Sequence, residues 1–286
     1  MVELNGAQSA SLAHCTFSLM TYNLWKTNGV PTAWKIREPV LKRQLETLHP
    51  DVMFVQELHP NIAKCIFEAL PDHACVRDAF SGWQQEGNIF FSKSLFKEIS
   101  HGCIEIGQCE TERRLFWVRL ECTQTRKQGL FATAHFTWQG AAAECESDVN
   151  LRKAQARRTV SALSDLQKPN EPCFFGGDLN ESHWPRCILS NAGFVDCFSA
   201  LRLPCRPTHP TRPCNMHEEQ NADQALDWLF ARPAEHDFTS ASVPAENKRR
   251  RVGDVGVRPL LASVVRDMSL HPSEDDEASH QLAVQP

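Results

Sequence analysis

The chain has 286 residues, 42% of them hydrophobic, which suffices for one large or two modest globular domains and excludes a peptide or bare linker. Its 30 Lys+Arg against 35 Asp+Glu give a net charge of −5, which argues against a protein that holds nucleic acid by bulk electrostatics, so any phosphate site must be local. No apolar run approaches the roughly 20 residues that cross a bilayer, and the polar start Met1–His14 lacks a basic region followed by an apolar one. The expectation is a soluble, unsecreted protein, cytoplasmic or nuclear, without a membrane-spanning segment and favouring the monomer. Twelve cysteines are scattered without any CxxC spacing, so reduced thiols are expected, with Cys65, Cys173 and Cys197 as small apolar core residues.

Short apolar strands alternate with amphipathic helices, an α/β pattern. Thr16–Asn23 and Val52–Leu58 read as buried strands with a helix over Ile36–Leu48 between them. Pro60 opens a second helix whose Ile62, Ile66 and Leu70 form one apolar stripe while Lys64 and Glu68 face water. Asn88–Ser92, Leu115–Cys122, Leu130–Phe136 and Cys173–Phe175 are strand-like. Asp148 is expected to cap a long helix through Leu166, with Leu151, Ala154, Val160 and Leu163 inward and Arg152, Arg157 and Arg158 as a solvated basic side. Further strands are expected at Ala225–Ala231 and His280–Val284, with mobile loops over 233–254 and 272–277 and a flexible tail over 1–14. The whole is expected to form a single domain.

Polar residues interrupt these strands at their ends. An unpartnered buried carboxylate costs several kcal/mol, so Asn23, Glu57, His135, Asp178 and Asp227 need a reason, and metal with phosphate supplies one. The strongest segment is FFGGDLNES (Phe174–Ser182): two glycines allow a sharp turn, and Asp178 and Asn180, two apart, project to the same side if extended. The alternative is an Asx turn after a strand. Trp25, Trp83, Trp138 and Trp184 fall near motif ends, where an aromatic can stack on a base or pack in the core or rim. The run Lys248–Arg251 (KRRR) reads as a nuclear localisation signal, a phosphate contact or a solvated loop.

The segments TYNLW (Thr21–Trp25), VQE (Val55–Glu57), TAHF (Thr133–Phe136), GGDLN (Gly176–Asn180) and LDWLF (Leu226–Phe230), in that order, resemble the endonuclease/exonuclease/phosphatase superfamily, the deoxyribonuclease I-like fold, over about Phe17–Val284. That resemblance implies a four-layer α/β sandwich of two packed mixed sheets flanked by helices, with the active site at one rim. It implies Glu57 as the principal Mg²⁺ ligand (Mn²⁺ as a substitute), Asn23 beside metal or phosphate, and Asp178 deprotonating the attacking water. Asn180 would position that water, His135 would donate to a phosphate oxygen, and His280, held by Asp227, would do likewise. Members usually close with Ser-Asp-His, whereas this chain has Ala278-Ser279-His280: with the histidines matched, the favoured register, Ser279 stands at the aspartate, where a neutral oxygen binds metal less tightly, and with the serines matched His280 falls at the aspartate and Gln281 at the histidine. TYNLW, VQELHPNI and ALDWLFAR are similar to the tyrosyl-DNA phosphodiesterase 2-like branch, which acts on 5′-phosphodiester adducts of DNA and so belongs to DNA repair. The implied function is Mg²⁺-dependent phosphodiester hydrolysis at nucleic acid ends. The alternatives are another phosphoesterase (an endonuclease, RNA exonuclease or sphingomyelinase-like enzyme) or a catalytically weakened binding relative.

Overall fold

Alternate residues along the apolar strands enter different cores, and that decides the architecture. The computed structural model describes residues 15–27, 34–209 and 224–234. In chain order the elements are β1 (Leu19–Asn23), α1 (Trp34–Leu48), β2 (Val52–Gln56), α2 (Pro60–Ala69), β3 (His73–Cys75), α3 (Gly82–Gln85), β4 (Gly87–Ser92) and β5 (Phe96–Ile104). They continue with β6 (Leu115–Cys122), β7 (Gln128–His135), α4 (Ala142–Ser147), α5 (Leu151–Leu166), β8 (Cys173–Asp178), α6 (Trp184–Asn191), β9 (Val195–Asp196), α7 (Cys197–Leu201) and β10 (Asp227–Arg232). One sheet has the order β1-β2-β4-β3 and the other β5-β6-β7-β8-β10-β9. Both are mixed: β1 runs parallel to β2 and β7 to β8, while the other pairs are antiparallel.

Phe54 of β2 and Phe131 and Phe174 of β7 and β8 point into the core between the sheets, where the Phe131 and Phe174 rings stack at 4.9 Å. The next residues along, Met53 and Val55, face the opposite way and pack with Leu41 and Leu45 of α1 and Ile62 and Ile66 of α2. On the other sheet, Leu130, Ala132, Cys173 and Phe175 meet Ala156 and Leu163 of α5 and Leu189 of α6. Period-2 strands between period-3.6 helices therefore give helix, sheet, sheet, helix, the four expected layers. The Ile62, Ile66 and Leu70 stripe and the Cys65, Cys173 and Cys197 thiols are buried as expected.

Several details differ from the sequence reading. β5 was not expected, because FKEISHGCI mixes charge with apolar residues; it is an edge strand with a register shift between Glu98 and Ser100. Asp148 does not cap α5: it sits in the left-handed region at the end of α4, and Asn150 caps α5 by accepting from the Lys153 N–H at 3.1 Å. Arg152 is buried rather than solvated, paired with Glu144 and Glu181. Gly176 and Gly177 make no turn; they lie inside β8. A Cβ on Gly177 would overlap the Ala134 carbonyl of β7, and one on Gly176 would meet the Phe54 ring at 2.6 Å, so close approach is what excludes a side chain there. The strand expected at His280–Val284, the tail over 1–14, the loop over 272–277 and nearly all of that over 233–254 lie outside the described residues.

Candidate active site

The two parallel pairs place the C-terminal ends of β1, β2, β7 and β8 at one rim. Asn23 ends β1, Glu57 follows β2, His135 ends β7 and Asp178 ends β8. Asp227 opens β10 in register with Asp178, and His135 is the register partner of Asp178 on the other side. Five of the residues singled out from sequence thus meet within one rim, although up to 204 positions separate them in the chain (23 to 227). Buried Gln56 ties the sheets together here, donating from Nε2 to Thr133 Oγ1 of β7 at 2.8 Å and to Thr21 Oγ1 of β1 at 3.3 Å.

Asn23 is the hinge of the arrangement. Its Nδ2 donates at 3.0 Å to Glu57 Oε1 and at 3.0 Å to Asp178 Oδ2, so one amide spans two carboxylates; its Oδ1 accepts from the Trp25 N–H at 2.9 Å. Asp178 Oδ1 accepts from the Asn180 N–H at 2.9 Å. Asn180 is not extended: its φ of 49° makes the segment an Asx turn, and its Nδ2 donates to the Phe136 carbonyl at 2.9 Å. With its nitrogen so engaged, Asn180 offers a ligand its amide oxygen. Glu57 (φ 53°), Trp25 (φ 55°) and Lys26 (φ 35°) share this left-handed region, so four of the nine non-glycine residues with positive φ among the described residues gather at the rim. Side-chain contacts rather than glycine hold those turns.

Sequence reasoning missed Glu86, which follows α3 and is buried. It takes Arg113 Nε at 2.6 Å on Oε1 and Lys26 Nζ at 2.6 Å on Oε2, and His135 Nδ1 lies 3.5 Å away. Burial alone would raise its carboxyl, but the contact with His135, the Arg113 charge and the Lys26 hydrogen bond outweigh that and hold it down to about 2. His135 lies between this fixed anion and Asp178, whose Oδ2 is 3.6 Å from Nε2. The only sequence signal was a charged residue beside the apolar strand β4.

Asp227 shows the opposite pressure. Among the described residues its Oδ1, sealed from solvent, meets no hydrogen-bond partner, and burial, then the neighbouring Asp178 charge, push its carboxyl well above the usual range, against a hydrogen bond from Thr208. Glu57, Asp178 and Asp227 thus gather three carboxyls at the rim, two of them bridged by the Asn23 amide. Among the described residues no three His, Cys, Asp or Glu side chains form a preassembled metal cage. A hard cation that takes one or two carboxylates and keeps its waters fits this oxygen-only set, with Glu57 more open to it than Asp178. Ser279 and His280 lie outside the described residues.

Residues 20–249 match the model of the Endonuclease/Exonuclease/phosphatase family. No curated protein matches by sequence. Among solved structures, an endonuclease/exonuclease/phosphatase family protein from Bacteroides thetaiotaomicron is similar at 19% identity and a TM-score of 0.62, over 77% of this chain and 84% of that one. A mannosyl-6-phosphatase from the same organism gives 19% and 0.61, over 76% and 85%. A TDP2 of D. rerio humanized by 14 mutations gives 18% and 0.58, over 79% and 86%. These likenesses establish the fold, and the family match spans well over half of the chain. The chain belongs to the endonuclease/exonuclease/phosphatase family, which makes it a hydrolase acting on phosphoester bonds.

Proposed function

We propose that this protein is a Mg²⁺-dependent phosphodiesterase that hydrolyses phosphodiester bonds at nucleic acid ends by attack of water, with 5′-tyrosyl-DNA adducts as the leading substrate. The observation that carries the reading is the Asn23 amide spanning Glu57 and Asp178 beside the Asp227 carboxyl. The cation, when bound, supplies charge neutralisation at the phosphate. Glu57 would hold it, and Asn23 keeps the two carboxylates at a fixed separation. Asp178, its two oxygens oriented by Asn23 and Asn180, accepts the proton of the attacking water. Asn180 directs its free amide oxygen at that water. His135, backed by Glu86, donates to a non-bridging phosphate oxygen.

The tyrosyl-DNA reading draws support from the motif likeness around Asn23, Glu57 and Asp227 and from a D. rerio TDP2 structure that holds a single-strand DNA product at 18% identity and a TM-score of 0.58. The test is purified full-length protein incubated with a 5′-tyrosyl oligonucleotide, abasic duplex, polyadenylated RNA, sphingomyelin and mannose 6-phosphate, each with Mg²⁺ or EDTA. Release of tyrosine that requires Mg²⁺ is the expected result. Turnover of another phosphoester instead would move the substrate, and no turnover of any would overturn the catalytic reading in favour of a binding relative.

A further inference from the structure

Tryptophan has the largest side chain to bury, so a tryptophan left in water calls for a reason. Among the described residues three are exposed: Trp25 at 36%, Trp138 at 53% and Trp184 at 45%. Trp83 and Trp228 are buried. The exposed three are not scattered. Trp25 lies two residues beyond Asn23 and donates its N–H to that side chain; Trp138 lies three beyond His135; Trp184 lies four beyond Asn180, its N–H 3.2 Å from Glu181 Oε1. All three stand on segments that leave the C-terminal ends of β1, β7 and β8, the rim that carries the candidate carboxylates.

These segments are braced from inside. Buried Arg152 donates to the Thr137 carbonyl at 3.1 Å, to Glu144, and to Glu181 Oε2 at 3.0 Å, which joins the segment bearing Trp138 to the one bearing Trp184. Arg37 of α1 donates to the Leu24 carbonyl at 3.0 Å and to the Trp25 carbonyl at 3.2 Å, and bonds that of Lys26. Cations also lie over the rings: Lys153 Nζ is 3.8 Å from the Trp184 centroid, and the Arg37 guanidinium 5.9 Å from that of Trp25. An exposed indole with a cation over one face suits a planar ring carried on a phosphate chain, the ring meeting the indole and the phosphate the cation. A choline headgroup would meet Lys153 and Arg37 with like charge. A paired base hides its faces in the stack, and a net charge of −5 leaves little surplus for a duplex phosphate ladder.

We propose that Trp25, Trp138 and Trp184 form a stacking collar around the active site that holds unpaired nucleobases of single-stranded nucleic acid on either side of the scissile phosphate. This deepens the phosphodiesterase reading by naming what the site grips beyond the phosphate, and it rests on that reading.

The test is anisotropy of a fluorescein-labelled oligodeoxythymidylate of about ten residues with the full chain in EDTA, so that binding is read without hydrolysis. Trp184→Ala, Trp138→Ala and Trp25→Ala are each expected to weaken binding roughly tenfold, with the Phe variants keeping most of it. An oligomer of abasic deoxyribose phosphate of the same length should bind at least about tenfold more weakly and be indifferent to the substitutions. Equal binding of the abasic oligomer, tighter binding of a duplex, wild-type affinity in all three Ala variants, or no binding would overturn the collar. The result stands apart from the catalytic test, which can fail while this binding pattern holds, and the reverse.

Discussion

Glu86 is where the fold commits most to one protonation state. With its carboxyl at about 2 in the folded protein, against about 4.5 for an ordinary glutamate, the stability it contributes is fully present above about pH 4.5 and is lost as pH falls toward 2. The span corresponds to about 3 kcal/mol. Glu86→Gln is therefore expected to lower stability near neutral pH and to flatten the acid limb of a denaturation series; an acid limb as steep as wild type would show that Glu86 is not the group responsible. Asp178→Asn keeps the shape of the side chain but cannot take a proton, so hydrolysis should fall on the order of 10²-fold or more while the protein stays folded. Wild-type turnover in that variant would remove Asp178 from the chemistry. Glu57→Gln removes a charged oxygen and should raise the Mg²⁺ concentration for half-maximal activity; an unchanged titration would place the ligand elsewhere. Asn23, Glu57, His135, Asp178 and Asp227 were legible because each breaks an apolar strand at its end. Glu86 was not, because its meaning comes from Lys26, Arg113 and His135, which lie 60, 27 and 49 positions away and approach it only in the fold.

At the scale of elements, the sequence shows strands whose both faces are apolar and hides strands that carry charge. β2, β4, β7 and β8 are sandwiched between the other sheet and helices, so their composition alone marks them. β5 lies at an edge, and its alternation is broken by a register shift. Arg152 escaped for a related reason: helical spacing assigns a face but cannot foresee that Glu144 and Glu181 would fold over that face. The glycine pair in β8 had a visible composition and a hidden cause. Ala at position 177 would drive its methyl into the backbone oxygen of Ala134, which cannot swing aside, and Ala at 176 would press on the Phe54 and Leu229 side chains, which can shift in part. Gly177→Ala is expected to cost on the order of 3 kcal/mol or more and Gly176→Ala less, read from denaturant midpoints. The reverse order would mean that the parallel β7–β8 contact is not what fixes the glycine.

Across the whole molecule, the two sheets deliver negative charge to one rim from opposite sides: Glu57 from the four-stranded sheet, Asp178 and Asp227 from the six-stranded one. Without a cation, packing the sheets together therefore works against the rim that the packing builds. Asp227 records that conflict. Burial, then Asp178 and Glu57, raise its carboxyl, so the folded chain holds a proton that the unfolded chain has released. Stability tied to that proton is complete below the ordinary aspartate value and is lost as pH climbs through the raised one. A divalent cation at the rim restores what ionisation removed, and by linkage it binds more tightly once the proton has left. Mg²⁺ at about 100 times its dissociation constant should stabilise by about 2.7 kcal/mol. The rise in melting temperature on adding Mg²⁺, at ionic strength matched with Na⁺, is thus expected to be larger near pH 8.5 than near pH 5.5. Asp227→Asn should remove most of that difference, because the amide has no proton to lose. Equal stabilisation at both pH values in wild type would separate the cation from this carboxylate cluster and send the search for its ligands to another part of the surface.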